Sequence, residues 1–181
     1  MKKWLVFIFA TMLVFALIGC AEEAEVAEVA EPETSEVVEV ETPDGPSFAD
    51  NVLTTDRMII EITDYRVIPV GEEGNQFGDA PVIAFWYSVT NLTDDDLNPA
   101  TAWIMTMSAF QDNDPNMDNE LSVGLLPDDN FLETQMANIS KDGTLENAVA
   151  YVLDDEVTPV ELRASENLGM TTFGSMTFGL E

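Results

Sequence analysis

The chain has 181 residues, 35 of them acidic, six basic and none histidine, for a net charge of −29. That balance argues against nucleic acid as a partner, since gripping a phosphate backbone takes clustered Lys and Arg. Without histidine, Ser-His-Asp and Cys-His catalysis and the common zinc sites are excluded.

Lys2 and Lys3 open the chain and are followed by an apolar run over residues 4–18 that ends in Leu17-Ile18-Gly19-Cys20. This run falls short of the ~20 residues that cross a bilayer. A charged start, a short apolar stretch and small residues at a cleavage point describe an export signal. The Leu-x-Gly-Cys ending resembles a lipobox, which implies a diacylglyceryl group on the Cys20 sulfur and a cut between Gly19 and Cys20. Residues 1–19 are then a removed signal peptide. Cys20 is the single cysteine, so the folded part is expected to carry no disulfide, no thiolate nucleophile and no cysteine metal ligand. Two acyl chains anchor stably where one is marginal. The expected location is the extracytoplasmic face of a cell membrane, lipid-anchored, at a Gram-positive surface. Cleavage leaves four basic residues against 35 acidic ones, a net of −31.

Residues 21–46 are built almost wholly from Glu, Ala, Val, Pro and Thr. The glutamates repel one another at helical spacing with no Lys or Arg to answer them, and Pro32 and Pro43-Asp44-Gly45-Pro46 break any longer helix. Residues 20–50 are therefore read as the lipidated cysteine followed by an acidic, disordered tether. As a flexible coil, 26 residues hold a domain about 25–30 Å from its anchor.

Residues 51–181 read as one all-β domain of ordinary size. Met58, Ile60 and Ile62 alternate with more polar neighbours, and the parity then slips to Tyr65 and Val67, which predicts a bulge near Asp64. Residues 81–91 form the strongest strand, with Ile83, Phe85, Tyr87 and Val89 on one face and Ala84, Trp86 and Ser88 on the other. Further strands are predicted at 102–110, 144–153, 157–164 and about 173–180. Residues 125–140 read as a loop in which Asp128 or Asp129 caps a short helix. Two antiparallel sheets packed face to face bury these alternating faces most economically.

Tyr87-Ser88-Val89-Thr90-Asn91, Phe110-Gln111-Asp112, and Asp142-Gly143-Thr144 through to Tyr151-Val152-Leu153-Asp154 and Pro159-Val160-Glu161 resemble a domain-of-unknown-function family of lipoproteins in Gram-positive bacteria. The resemblance covers residues 57–164. It implies an immunoglobulin-like antiparallel β-sandwich, similar in fold to a small secreted mycobacterial antigen, and it implies no catalytic residues. The chain is more acidic than usual members of that family.

Candidate chemistry is sparse. Asp112, Asp114, Asn116, Asp118 and Glu120 gather oxygen ligands at close spacing, and Asp112-x-Asp114-x-Asn116 matches the opening of a calcium loop. The match then fails, because Met117 replaces the turn glycine and Val123 the twelfth-position Glu. These five residues are a candidate cation site, Ca²⁺ the candidate ion; a solvated hairpin of turn-forming residues is the simpler alternative. Trp86 and Trp103, both on predicted strands, are candidate stacking residues for a sugar, with core packing as the alternative. Met105 and Met107 read as core filler. The function expected is a non-catalytic immunoglobulin-like module. It is held to the membrane by its N-terminal lipid and displayed to a protein, peptide or glycan of the envelope. A cation-binding surface lipoprotein is the second reading and a carboxylate hydrolase the third.

Overall fold

A computed structural model describes residues 45–166 and 171–180. The predicted signal peptide, Cys20 and the tether up to residue 44 lie outside the described residues. Among the described residues, eight strands, all paired antiparallel, form two sheets that pack as a sandwich. The first sheet has the order β1(Ser47–Ala49)-β2(Val52–Thr54)-β3(Met58–Ile68)-β4(Val82–Asn91)-β6(Thr144–Val152), and the second β5(Met107–Gln111)-β7(Val160–Glu166)-β8(Thr171–Phe178). An isolated bridge between Val123 and Tyr151 adds residues 122–124 along the outer edge of β6. With that segment counted, β3, β4, β6 and 122–124 take the A, B, E and D places of an immunoglobulin sandwich, and β5, β7 and β8 take C, F and G.

The bulge expected near Asp64 falls between Ile62 and Asp64. It lets Met58, Ile60 and Ile62 face the core before the slip, while Val67 packs against the core after it. Tyr65 stays partly exposed yet sets its ring 4.9 Å from that of Phe178 across the sandwich. On β4, Ile83, Phe85, Tyr87 and Val89 are buried in the main core, and Trp86 lies on the opposite face. Phe85 is the hub of the core, with ring centroids 5.9 Å from Trp103, 6.3 Å from Tyr151 and 5.0 Å from Phe178.

Two boundaries differ from expectation. β1, paired with β2, lies within the stretch read as tether, because Asp50 and Asn51 both take positive φ (51° and 64°) and close a two-residue hairpin. Residues 102–110 are not one strand. Pro99–Thr106 is a helix, α1, and the chain becomes extended only at Met107. Asn98 caps α1, its side-chain oxygen accepting from the Thr101 N–H at 2.9 Å, and Pro99 supplies a preset first turn. Pro99, Ala102, Trp103 and Thr106 are buried, which is the i, i+3, i+4, i+7 stripe of a helix. Met107 is core, whereas Met105 is about half exposed and fills nothing.

The outer face of the first sheet carries a smaller core of Ile68, Val82, Ala84 and Ala150, with Trp86 at its margin. Loops roof it. Asn75 pins residues 69–80 by donating to the Ile68 and Ala80 carbonyls. From the other side come residues 124–131, in which Asp128 caps a 3₁₀ turn, Asp129–Phe131, by accepting from the Asn130 N–H.

Candidate functional site

Where that roof stops, a groove of about 410 Å³ opens on the outer face of β3, β4 and β6. Asp64 and Arg66 come from β3 after the bulge, Trp86 from β4, Glu146 from β6, and Asp128 and Phe131 from the capped turn. The bulge is what puts Asp64 and Arg66 on this side, since a one-residue slip exchanges the faces of a strand. Trp86 is half-buried, and its Nε1–H donates to Asp128 Oδ2 at 3.0 Å. That hydrogen bond, aided by the Asn130 N–H, holds the Asp128 carboxyl below its ordinary value against a smaller opposing effect of burial.

Cations are few, and most are committed. Arg57 pairs with Asp95 at 3.1 Å, Lys141 with Asp94 at 3.1 Å, and Arg163 with Glu161 at 2.7 Å and Asp118 at 3.4 Å. Arg66 alone forms no ion pair among the described residues; its guanidinium stands 4.8 Å over the Trp86 ring. An indole face, a guanidinium fork and carboxylate oxygens thus converge in one concavity. Such a set offers stacking, donors and acceptors to a polar ligand.

Trp103 is not a second platform. It is fully buried on α1, donates its Nε1–H to the Tyr151 hydroxyl at 2.8 Å, and packs at a 33° tilt with its ring centroid 4.3 Å from that of Tyr87. Burial pushes the Tyr87 and Tyr151 hydroxyls far above their ordinary range, so both stay neutral donors.

The candidate cation residues lie between β5 and β6, where Asp114 and Asp118 have their oxygens engaged by neighbouring donors. Asp114 Oδ1 accepts from both the backbone N–H and the side-chain amide of Asn116, which lowers its pKa. Asp118 faces Arg163, and the backbone of Glu120 forms an isolated antiparallel bridge with that of Phe110. Asn113 and Asn119 tie this loop to Asp155 and Asp154. Asp155 itself accepts from the N–H groups of Thr158 and Val157, which depress its carboxyl strongly. Among the described residues, no group of three or more acidic side chains is placed to hold a metal ion.

Two buried amides carry more of the architecture than the sequence suggests. Gln111 has no exposed surface; it donates to the carbonyls of Asp155 and Thr158 and accepts from the N–H groups of Asp154 and Asp155. Asn91 likewise donates to the Asp95 and Ile139 carbonyls and accepts from Thr93. Both stand in the segments that carry the family resemblance, and both act by fixing turns.

A family profile described as a domain of unknown function (DUF5067) matches residues 33–166. A solved structure of a protein described as a candidate lipoprotein from Staphylococcus aureus subsp. aureus NCTC 8325 superposes with a TM-score of 0.62 at 23% identity, covering 74% of this chain and 91% of that one. At that identity the likeness is one of fold. A comparison with curated proteins found no match.

Proposed function

This chain belongs to the family described as a domain of unknown function (DUF5067), and from that premise we propose that it is a lipid-anchored, extracytoplasmic surface lipoprotein. Its immunoglobulin-like domain is a non-catalytic binding module, and the Trp86 groove is its recognition face for an envelope glycan. The observation that carries this reading is the convergence of Trp86, Arg66, which forms no ion pair among the described residues, and the carboxylates of Asp64, Asp128 and Glu146 in one open groove. A sugar ring that stacks on the Trp86 indole takes the place of the Arg66 guanidinium, 4.8 Å over that ring, and its hydroxyls then accept from the freed fork and donate to the carboxylates. The anchor rests on the lipobox-like Leu17-Ile18-Gly19-Cys20 and on the lipoprotein description of the structural neighbour. No helix among the described residues is long and apolar enough to cross a membrane.

Both halves are open to test. In cells fed a labelled fatty acid, the wild-type chain should take up label and stay with the membrane, and Cys20→Ser should do neither; membrane retention of Cys20→Ser would overturn the anchor. Purified cell-wall glycan should co-sediment the chain, and Trp86→Ala should reduce the bound fraction at least tenfold. A protease-treated wall that no longer binds would assign the groove to a peptide instead.

A further inference from the structure

A second concavity lies where residues 123–126 split away from β6 and meet α1, and it shares Tyr87 and Asn147 with the Trp86 groove. It is a crevice of about 100 Å³ walled by Trp103, Ile104, Gly124, Leu125, Asn147 and Ala148, among others. None of its lining residues is charged, in a chain with 35 acids. Its collar is apolar and open: Ile104 is 58% exposed, Val123 52% and Leu125 62%.

Three polar groups at this wall lack partners among the described residues. Asn147 is 2% exposed, and its Oδ1 accepts no hydrogen bond. The network fixes which way its amide faces. Tyr87 donates its hydroxyl proton to the Pro99 carbonyl, so its oxygen receives the Asn147 Nδ2–H, and Oδ1 is left over. The other two are on the backbone. The Ala150 carbonyl and the Val152 N–H turn outward to Gly124 and Ser122, so the strand's two-residue alternation turns the Ala148 N–H and carbonyl to the same edge. No backbone partner meets them there.

We propose that this crevice is a docking site for a partner polypeptide, which inserts one uncharged aliphatic side chain between Ile104 and Leu125 and pairs a peptide unit with Asn147 Oδ1 and Ala148. The polar demand selects this occupant. One buried acceptor beside an edge N–H and carbonyl asks for the donor and acceptor that every peptide unit carries, whereas a lipid chain would leave all three unpaired at a cost. The charge-free lining selects against acidic and basic side chains alike.

The test uses the full chain with methyl-labelled Ile, Leu and Val, titrated with acetyl-Gly-Leu-Gly-amide and with its Lys and Glu counterparts. The expected result is saturable shifts of the Ile104, Val123, Leu125 and Val149 methyls with the leucine peptide only. Leu125→Lys, an exposed position, should weaken binding at least tenfold. Asn147→Leu, which retains the volume but removes the acceptor, should also weaken it, with thermal unfolding reporting whether the fold persists. Unmoved methyls would overturn the proposal, as would equal response to the three peptides. Long-lived water contacts at Val149 that persist at saturating peptide would overturn it too, because ordered water alone then satisfies Asn147.

Discussion

Trp86 and Trp103 are the same residue type on what the sequence reads as two strands, yet they end in opposite surroundings. Trp103 sits on a helix with no exposed surface and gives its N–H to a neutral, buried tyrosine hydroxyl. Trp86 sits at the margin of a thin outer core and gives its N–H to a charged carboxylate at the lip of a groove, with an arginine over its ring. The first arrangement spends the indole N–H inside the core and leaves the ring no exposed surface. The second leaves a partly exposed indole beneath a guanidinium, with carboxylates beside it in an open groove. What separates a core residue from a recognition residue here is whether its surroundings exhaust its bonding capacity.

Substitution should widen that difference. Trp103→Ala opens a cavity among Phe85, Tyr87 and Tyr151 and removes the N–H that the Tyr151 hydroxyl accepts, for an expected loss of about 3–5 kcal/mol in denaturant unfolding. Trp86→Ala should cost only about 1 kcal/mol in the same experiment, because its loss is borne at a solvated margin. Equal losses would mean that Trp86 is structural and that the groove is incidental. Between these extremes lies Gln111→Ala, which frees four backbone partners of the turn after β6 and should cost about 2–3 kcal/mol. It should leave glycan binding at the distant groove unchanged.

The contrast also shows what the sequence could convey. Period-two alternation reports one buried face per strand, so β3 with its bulge and β4 with its two faces were legible residue by residue. Helix α1 was misread as strand because Trp103, Met105 and Met107 also alternate. The competing stripe at 99, 102, 103 and 106, opened by an Asn-Pro cap, was the better signal. Hairpin β1–β2 escaped because nothing in Asp50-Asn51 announces that both residues take positive φ. Trp86 was found through its placement on the polar face of β4. Arg66, Asp128 and Glu146 were not, because 20 to 60 residues separate them from Trp86 and 18 to 80 from each other, and only the sheet register and the capped turn join them. The acidic loop looked like a cation site for a simple reason. The residues that cap turns, Asp and Asn, are also those that ligate calcium.

Acid should act on the groove before it acts on the core around Trp103. Asp128 is depressed in the folded chain, so its contribution is complete above the ordinary value of 3.8 and is lost as pH falls through the lower folded value. Emission from Trp86 should therefore change in a step below the ordinary carboxylate range, and Asp128→Asn should abolish the step. The smallest effect concerns ions. Ca²⁺ and Mg²⁺ at equal concentration should raise the melting temperature equally and slightly, by screening a strongly acidic chain; a rise specific to Ca²⁺ would reinstate the loop around Asp112 and Asp114 as a site.

The most direct test sets one tryptophan against the other. Soluble cell-wall glycan fragments should shift and quench the emission of the solvent-accessible Trp86 in a saturable way while leaving that of the buried Trp103 unchanged, and an Arg66→Ala chain should need at least tenfold more glycan for the same response. Saturable binding of those fragments with no change at Trp86, or with identical affinity in Arg66→Ala, would contradict the assignment of the groove.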